Sequence, residues 1–352
     1  MTTYGAVLIV KNEVANIQRC LASAIAAGVT VATVCDTGST DGTQDLVKAA
    51  CGKLDLRLTS VPFVNMGQAR SAAFERAQHT ADWLLALDAD MTVEIDADFV
   101  PDPAVEAYQV EMRDGQWSWR LPLLLRGDLP WQSIGAYDEY TALPGRAFVG
   151  AITDKVRVHF PSVPTSAAKR HWQAGLLETH LAEHPDDERT LFYLAQKYRE
   201  LGDPRARDLY LRRSKLDGHP GEVFWSLYWA ATLADWPTRA VELMAAWEYQ
   251  PHHLEPLRDL VRELNNRGSH HAAYALACAA DLTPCSDTGF TEPAVWAWEM
   301  TFQRSIAAWW CGYPEETRAL SENLLERDDL PADVRAAVER NLSLCEPQGR
   351  AA

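Results

Sequence analysis

Over its first ninety or so residues the chain alternates between two hydrophobic periods, and this alternation restricts the available folds more than any other feature. Residues 4–10 are a short apolar run of strand length. Over residues 13–27 the apolar positions are Val14, Ile17, Leu21, Ala24 and Ile25, spaced to share one face of a helix. Residues 30–35 read as a second strand, and a helix follows over about 42–51 with Asp41 placed to cap it. Strand 54–61, helix 67–79 and strand 83–87 continue the cycle. Such alternation predicts βαβ units, hence an α/β domain with a Rossmann-like, mostly parallel sheet covered by helices on both faces. In sheets of this kind ligands bind at the carboxyl ends of the strands.

Beyond residue 105 the pattern changes. Tyr108, Val110 and Met112 alternate with polar residues, as do Trp117, Trp119, Leu121, Leu123 and Leu125, which predicts a β-hairpin turning at Asp114-Gly115 and extending the sheet. Residues 128–164 are rich in Pro and Gly and read as loop. From about residue 165 the chain reads as helical throughout, with a weak repeat. Leu194 to Asp203, Leu227 to Asp235 and Leu260 to Gly268 resemble one another, and each is followed by a helix carrying a small residue, Ala206, Ala240 or Ala272. Pro220, Pro251 and Pro284 punctuate the units, whose spacing of about 31–33 residues is near the tetratricopeptide period. A fourth unit is expected over 294–330 and a closing helix over 332–345, with most of the many tryptophans in the core. The 352 residues suit two domains, which we place at 1–165 and 166–352.

The formal net charge of −16 argues against nucleic acid as a partner, since a phosphate backbone rewards clustered Lys and Arg. An acidic protein that handles an anionic substrate needs local positive charge, which a bound divalent cation can supply. The seven cysteines are scattered and never spaced as CxxC, against both a disulfide framework and a zinc site. With no basic leader and no apolar run long enough to span a bilayer, the expected location is cytoplasmic.

Four short motifs fall at predicted strand ends or helix starts. Leu87-Asp88-Ala89-Asp90 follows the strand 83–87, and two carboxylates one residue apart at a strand end suit Mg²⁺ or Mn²⁺ bridging a diphosphate. Equally, Asp is common in solvated turns after strands. Asp36 opens the run Asp36-Thr37-Gly38-Ser39-Thr40-Asp41-Gly42-Thr43, where a strand-end carboxylate can accept from a nucleobase imide N–H. This run is neither a dinucleotide fingerprint nor a P-loop. Val10-Lys11-Asn12-Glu13 follows the first strand, and Arg70, in Asn65-Met66-Gly67-Gln68-Ala69-Arg70, sits on the first turn of a helix where it can pair with a phosphate or simply be solvated.

Taken in order, Lys11-Asn12-Glu13, Asp36 to Thr43, Gly67 to Arg70, and Asp82 to Asp90 resemble the motif series of family 2 glycosyltransferases of the GT-A fold, over roughly residues 4–160. The resemblance implies a nucleotide-sugar donor, most often a UDP-sugar, with Val10, Asn12, Glu13, Asp36, Arg70, Asp88 and Ala89 around it. Asp36 would read the base, and Asp88 and Asp90 would serve phosphates and metal. In the branch that carries tetratricopeptide-like helices, a His-Glu pair is usual after a Trp-containing loop; here Tyr137-Asp138-Glu139-Tyr140 stands in its place, with Asp138 where the His would be. Glu139 and Asp138 are thus the candidates for the catalytic base, and their division of labour stays open. His159, after the short strand 155–158, stands where GT-A enzymes often place a third metal ligand; a structural histidine is the alternative. His252, His253, His270 and His271 read as surface or groove residues.

The expected activity is therefore metal-assisted glycosyl transfer, for which the resemblance implies inversion at the anomeric carbon, to a protein or peptide hydroxyl presented along the helical repeats, with a lipid or free glycan as the alternative acceptor. Two rivals stand beside it. A nucleotidyltransferase would use a similar sheet and similar carboxylates, and a non-catalytic interaction protein would rely on the repeats alone.

Overall fold

The computed structural model describes residues 2–50, 54–114, 117–160, 166–284 and 290–345. Cys51 and Cys285, the hairpin tip at Gly115 and the proposed boundary at residue 165 lie outside these residues. The chain divides into two compact units, Met1–Ala206 and Arg207–Ala352.

The first unit is built on a seven-stranded sheet. Its elements are β1 (Tyr4–Val10), α1 (Ile17–Ala26), β2 (Val29–Asp36), α2 (Thr43–Ala49), β3 (Asp55–Ser60), α3 (Met66–Ala77) and β4 (Trp83–Asp88). They continue with β5 (Thr92–Ile95), β6 (Ala107–Asp114), β7 (Trp117–Arg126), β8 (Gln132–Ile134), β9 (Tyr140–Ala142), β10 (Gly150–Thr153), β11 (Val156–His159), α4 (Ala167–Glu183) and α5 (Glu188–Leu201). The strand order is β10-β6-β7-β4-β1-β2-β3, and only β7 runs against its neighbours.

The central strands read as continuous apolar runs because both faces are covered. Ala6, Val7, Leu8 and Val10 of β1 and Leu84, Leu85 and Leu87 of β4 are at most 2 % exposed. Helix α1 buries Ile17, Cys20, Leu21 and Ala24, the i, i+3, i+4, i+7 set of an amphipathic helix. It starts later than its periodicity suggests. Val14 lies outside it, 43 % exposed, because the preceding loop is tied to the β2–α2 connection. The β6–β7 hairpin does extend the sheet. Pro122, which cannot donate to a ladder, sits where the β6–β7 register shifts.

Sequence reasoning passed over the short strands β5, β8, β9 and β10, whereas β11 is the short strand read over 155–158. β5 and β11 form one two-stranded ribbon, and β8 and β9 another, within or beside the stretch read as loop. The strands passed over are three or four residues long, too short for a period of two to register.

The compact units also part later than the change in composition. Helices α4 and α5 are helical by pattern, yet they are in the sheet-bearing unit. The physical reason is a set of polar tethers to the 135–140 loop, described below.

Helix α6 (Arg205–Arg213) is followed by α7 (Pro220–Thr232), α8 (Thr238–Tyr249), α9 (Glu255–Asn266), α10 (His270–Ala279), α11 (Met300–Trp310), α12 (Pro314–Leu325) and α13 (Ala332–Leu344). From α7 each helix of the second unit packs on the next, the helix-turn-helix arrangement of a tetratricopeptide-like array. A π-helical turn, Val295–Glu299, leads into α11. Ala272 lies in α10, whose buried small residues are Ala273 and Ala277. One reading is corrected here. His253 is core rather than surface: its ring stacks 4.4 Å from Phe224 and Nδ1 lies 3.3 Å from Glu255. Pro220 opens α7 at its first turn, where a missing N–H costs nothing.

Candidate active site

Three of the four motifs end at one level of the sheet. Val10 pairs with Asp36 across β1–β2, and Ile9 pairs with Asp88 across β1–β4, so the carboxyl ends of these strands form a single rim.

At the β1–β2 end the backbone is knitted by short polar side chains. Asn12 takes a positive φ of 57°, its N–H donates to Ser39 Oγ (3.0 Å), and its Oδ1 accepts from the Thr40 N–H (2.8 Å). The Glu13 N–H donates to Thr43 Oγ1 (2.7 Å), and the carboxylate of Glu13 accepts from Asn16 Nδ2 (2.9 Å). The Val10 carbonyl accepts from the Thr37 N–H (2.9 Å). Asp41 does not act as the N-cap of α2. Gly42 holds that position with φ 93°, while Asp41 accepts from the N–H groups of Thr43 and Val14 and so joins the two loops.

Asp36 is fully buried. Burial alone would push its carboxyl up, but the N–H groups of Ser39 (2.8 Å) and Gly38 (2.7 Å) on Oδ1 hold it below its usual range. Its second oxygen, Oδ2, is buried without a hydrogen-bond partner. A buried, ionised oxygen without a partner is costly, so this atom is poised to accept from a ligand N–H.

Arg70 is the hub of the site. Its Nη2 donates to Asp88 Oδ1 at 2.6 Å and its Nε to Glu139 Oε1 at 2.7 Å, with only 11 % of its side chain exposed. Burial disfavours its charge, yet Asp88 and Glu139 outweigh that and hold the guanidinium firmly protonated. The helix that carries it is brought close by Gly67. A Cβ there would lie 2.4 Å from the Gly135 carbonyl oxygen, and the Gly67 N–H donates to that same oxygen at 3.2 Å. Gly67→Ala is therefore expected to push α3 off the 135–139 loop and to lower stability by about 1–3 kcal/mol, the usual range for overpacking. A urea midpoint equal to wild type would show that the loop yields freely.

Beyond β4, Ala89 is buried and both flanking aspartates are partly exposed. Burial, then the neighbouring Asp88 and Glu13, push the Asp90 carboxyl up, while Lys169 on α4 opposes them. Arg70 already meets one oxygen of Asp88, and the hard oxygen donors of the two carboxylates suit Mg²⁺ or Mn²⁺, so these residues fit a divalent cation. His159 forms no three-residue ligand cluster with them. It pairs with Thr92 across the β5–β11 ribbon, is largely exposed, and faces Glu94 at 3.6 Å. Among the described residues no three His, Cys, Asp or Glu side chains form a ligand cluster.

The two base candidates face different ways. Asp138, at φ 53°, puts its carboxylate 3.3 Å from Lys197 Nζ on α5, and its carbonyl accepts from Arg189. Glu139 meets Arg70 and, through it, Asp88. Beside them, burial and then Asp138, Asp88 and Glu139 push the Tyr137 phenol well above its usual range, and Gln173 Nε2 donates to its oxygen at 2.5 Å. Trp172 packs edge-on to Tyr137 and against Phe63, over which Lys11 sits.

Sequence reasoning missed Lys169, Trp172, Gln173, Arg189 and Lys197, all from helices assigned to the repeats. One signal was available. Lys197 falls on the buried stripe of α5 with Leu191, Leu194, Ala195 and Tyr198, where an unpartnered lysine would be costly.

A sheet rim that carries the buried carboxylate of Asp36, a paired-aspartate turn and an Arg-bridged carboxylate is compatible with a nucleotide-sugar glycosyltransferase. The family model described as Glycosyl transferase family 2 matches residues 6–101, and that segment is a domain of this family. None of the curated proteins matches the chain. Among solved structures, S. aureus TarS 1-349 in complex with UDP is 13 % identical, over 70 % of this chain and 88 % of its own, with a TM-score of 0.34. Glucosyl-3-phosphoglycerate synthase from Mycobacterium tuberculosis, in complex with Mn²⁺, UDP and glucosyl-3-phosphoglycerate, is 21 % identical over 33 % of this chain and 46 % of its own, with a TM-score of 0.26. A TPR repeat-containing protein from Cytophaga hutchinsonii is 11 % identical over 51 % of this chain and 69 % of its own, with a TM-score of 0.40. Likenesses this distant say nothing of substrate. Among the described residues no helix is long and apolar enough to cross a membrane.

Proposed function

We propose that this protein transfers a sugar from a UDP-sugar to a hydroxyl of a protein or peptide, with inversion at the anomeric carbon and with a divalent cation. The observation that carries the reading is the Asp88–Arg70–Glu139 bridge, which joins the rim's donor end to a carboxylate able to act as base.

In this reading Asp36 Oδ2 accepts from the imide N–H of the uracil, the partner its burial calls for. Asp88 and Asp90 hold Mn²⁺ or Mg²⁺, which when bound supplies positive charge beside the diphosphate. Arg70 keeps Asp88 and Glu139 in fixed register, and Lys169 adds positive charge near Asp90. Glu139 takes the proton of the acceptor hydroxyl as that oxygen attacks the anomeric carbon, on the face opposite the departing UDP. Asp138 positions the loop instead of acting as base, because its carboxylate faces Lys197 of α5, whereas Glu139 faces Arg70 and, through it, Asp88. The reading needs no ligation by His159. The stacked helix pairs of the second unit favour an extended acceptor such as a polypeptide, and the free cysteines among the described residues favour a cytoplasmic setting.

Calorimetry with UDP and Mn²⁺, followed by a panel of UDP-sugars scored for UDP release, tests the proposal. Binding should require the cation. Asp90→Ala should remove cation-dependent binding and lower transfer by roughly 10²–10³-fold, the scale of a lost electrostatic stabiliser, with the fold intact by circular dichroism. Release of pyrophosphate in place of UDP would make the protein a nucleotidyltransferase. Full turnover in excess chelator would remove the cation from the mechanism.

A further inference from the structure

Helices α4 and α5 lie outside the residues matched by the family model, and their pattern is that of the repeats. Yet three of the four residues 137–140, in the loop before β9 and at its first position, are fastened to them. Tyr137 accepts from Gln173 of α4, and its ring lies 5.5 Å from Lys197 Nζ. The Asp138 carbonyl accepts two N–H groups of Arg189, Nε at 3.1 Å and Nη2 at 2.7 Å, and its carboxylate pairs with Lys197. Tyr140 lies under the same Arg189 guanidinium, 4.9 Å from its centre. Only Glu139 turns the other way, to Arg70.

The turn occurs at Asp138, whose φ of 53° lies in the left-handed region, which aspartate tolerates better than most side chains but which still favours contacts that hold it. The surroundings on its outer side are Arg189 and Lys197. Lys197 has 11 % of its side chain exposed, and its other carboxylate neighbour is Glu200 at 4.0 Å. Replacing a whole buried ion pair by apolar groups is often neutral for stability, so net stability does not by itself account for a lysine here, and its placement against Asp138 is the feature to explain.

We infer that Lys197 and Arg189 of α5 are positioning residues that hold the left-handed conformation at Asp138 and so keep Glu139 toward Arg70 and the donor rim. This rests on the reading of Glu139 as base. It makes the second half of the active site a product of the helical segment, so the family-matched residues alone do not complete it.

The test uses the full chain and measures UDP affinity with Mn²⁺, the kcat and KM of transfer, and amide exchange over residues 135–140. Lys197→Met should leave UDP affinity within about twofold of wild type and lower kcat roughly 10²-fold, the scale of an ångström-sized misplacement. Loop amides should exchange faster, and Lys197→Arg should recover most of the kcat. If Lys197→Met does not fold, Asp138→Asn/Lys197→Met removes the lone buried charge, and the same kcat loss at retained UDP affinity is expected. An unchanged kcat in the folded variant would overturn the inference. So would a loss of UDP affinity as large as the loss of kcat, or failure of Lys197→Arg to rescue. Wild-type protein that binds no UDP would instead sink the proposed function, whereas slower loop exchange in wild type than in Lys197→Met would still report the tether.

Discussion

Glu139→Gln is expected to lower kcat by roughly 10²–10⁴-fold, the range for loss of a general base, while UDP affinity and thermal stability stay near wild type. The geometry makes this substitution unusually clean. Glu139 Oε1 accepts from Arg70 Nε at 2.7 Å, a role that the amide oxygen of Gln can keep, whereas an amide cannot take the acceptor's proton. With 10 % of its side chain exposed, Glu139 has little freedom to reorient after substitution. Asp138→Asn separates the two candidates. It weakens a pair with Lys197 but removes no proton acceptor near Asp88, so its effect should be smaller than that of Glu139→Gln. Parallel kcat and UDP-binding measurements on the two variants decide the assignment. A larger kcat loss for Asp138→Asn would reverse it.

How far the sequence revealed this site follows from the range of the forces involved. β1, β2 and β4 were legible because a strand buried on both faces must be apolar along its length, and this needs no partner to be recognised. The turn residues at their ends, Asp36 and Asp88, were legible for the same reason, being polar groups directly after an apolar run. What sequence reasoning could not supply was their mutual arrangement. Arg70 read either as a phosphate partner or as a solvated helix residue, and its actual partners, Asp88 and Glu139, stand 18 and 69 residues away. The same limit assigned α4 and α5 to the repeats. Their helical period is local and visible, whereas the attachment of Arg189 to Asp138, 51 residues distant, is not. Asp41 shows the converse. Its type and place suit a helix cap, and a tertiary contact with the Val14 N–H moved it one position outward, leaving Gly42 to start α2.

Arg70→Met carries the second large effect, and it acts on stability and function together. One guanidinium compensates two carboxylates, one of them 10 % exposed, and removing it leaves both charges facing each other across the rim. Breaking a buried pair by deleting one partner costs about 3–5 kcal/mol. Asp88 is 42 % exposed and regains some hydration, so the loss belongs toward the lower end. A urea titration should show the midpoint falling with an unchanged slope, since the surface exposed on unfolding is the same. Arg70→Lys should recover only part of this loss, because a single ammonium cannot reproduce a fork that meets two carboxylates on different elements. Added Mn²⁺ should raise the stability of Arg70→Met more than that of wild type, because Asp88 Oδ1 no longer has a competing cation, and binding to the folded state alone is stabilising. Equal Mn²⁺ effects on the two proteins would mean that Asp88 does not receive the metal, leaving Arg70 as the permanent counter-ion of the rim.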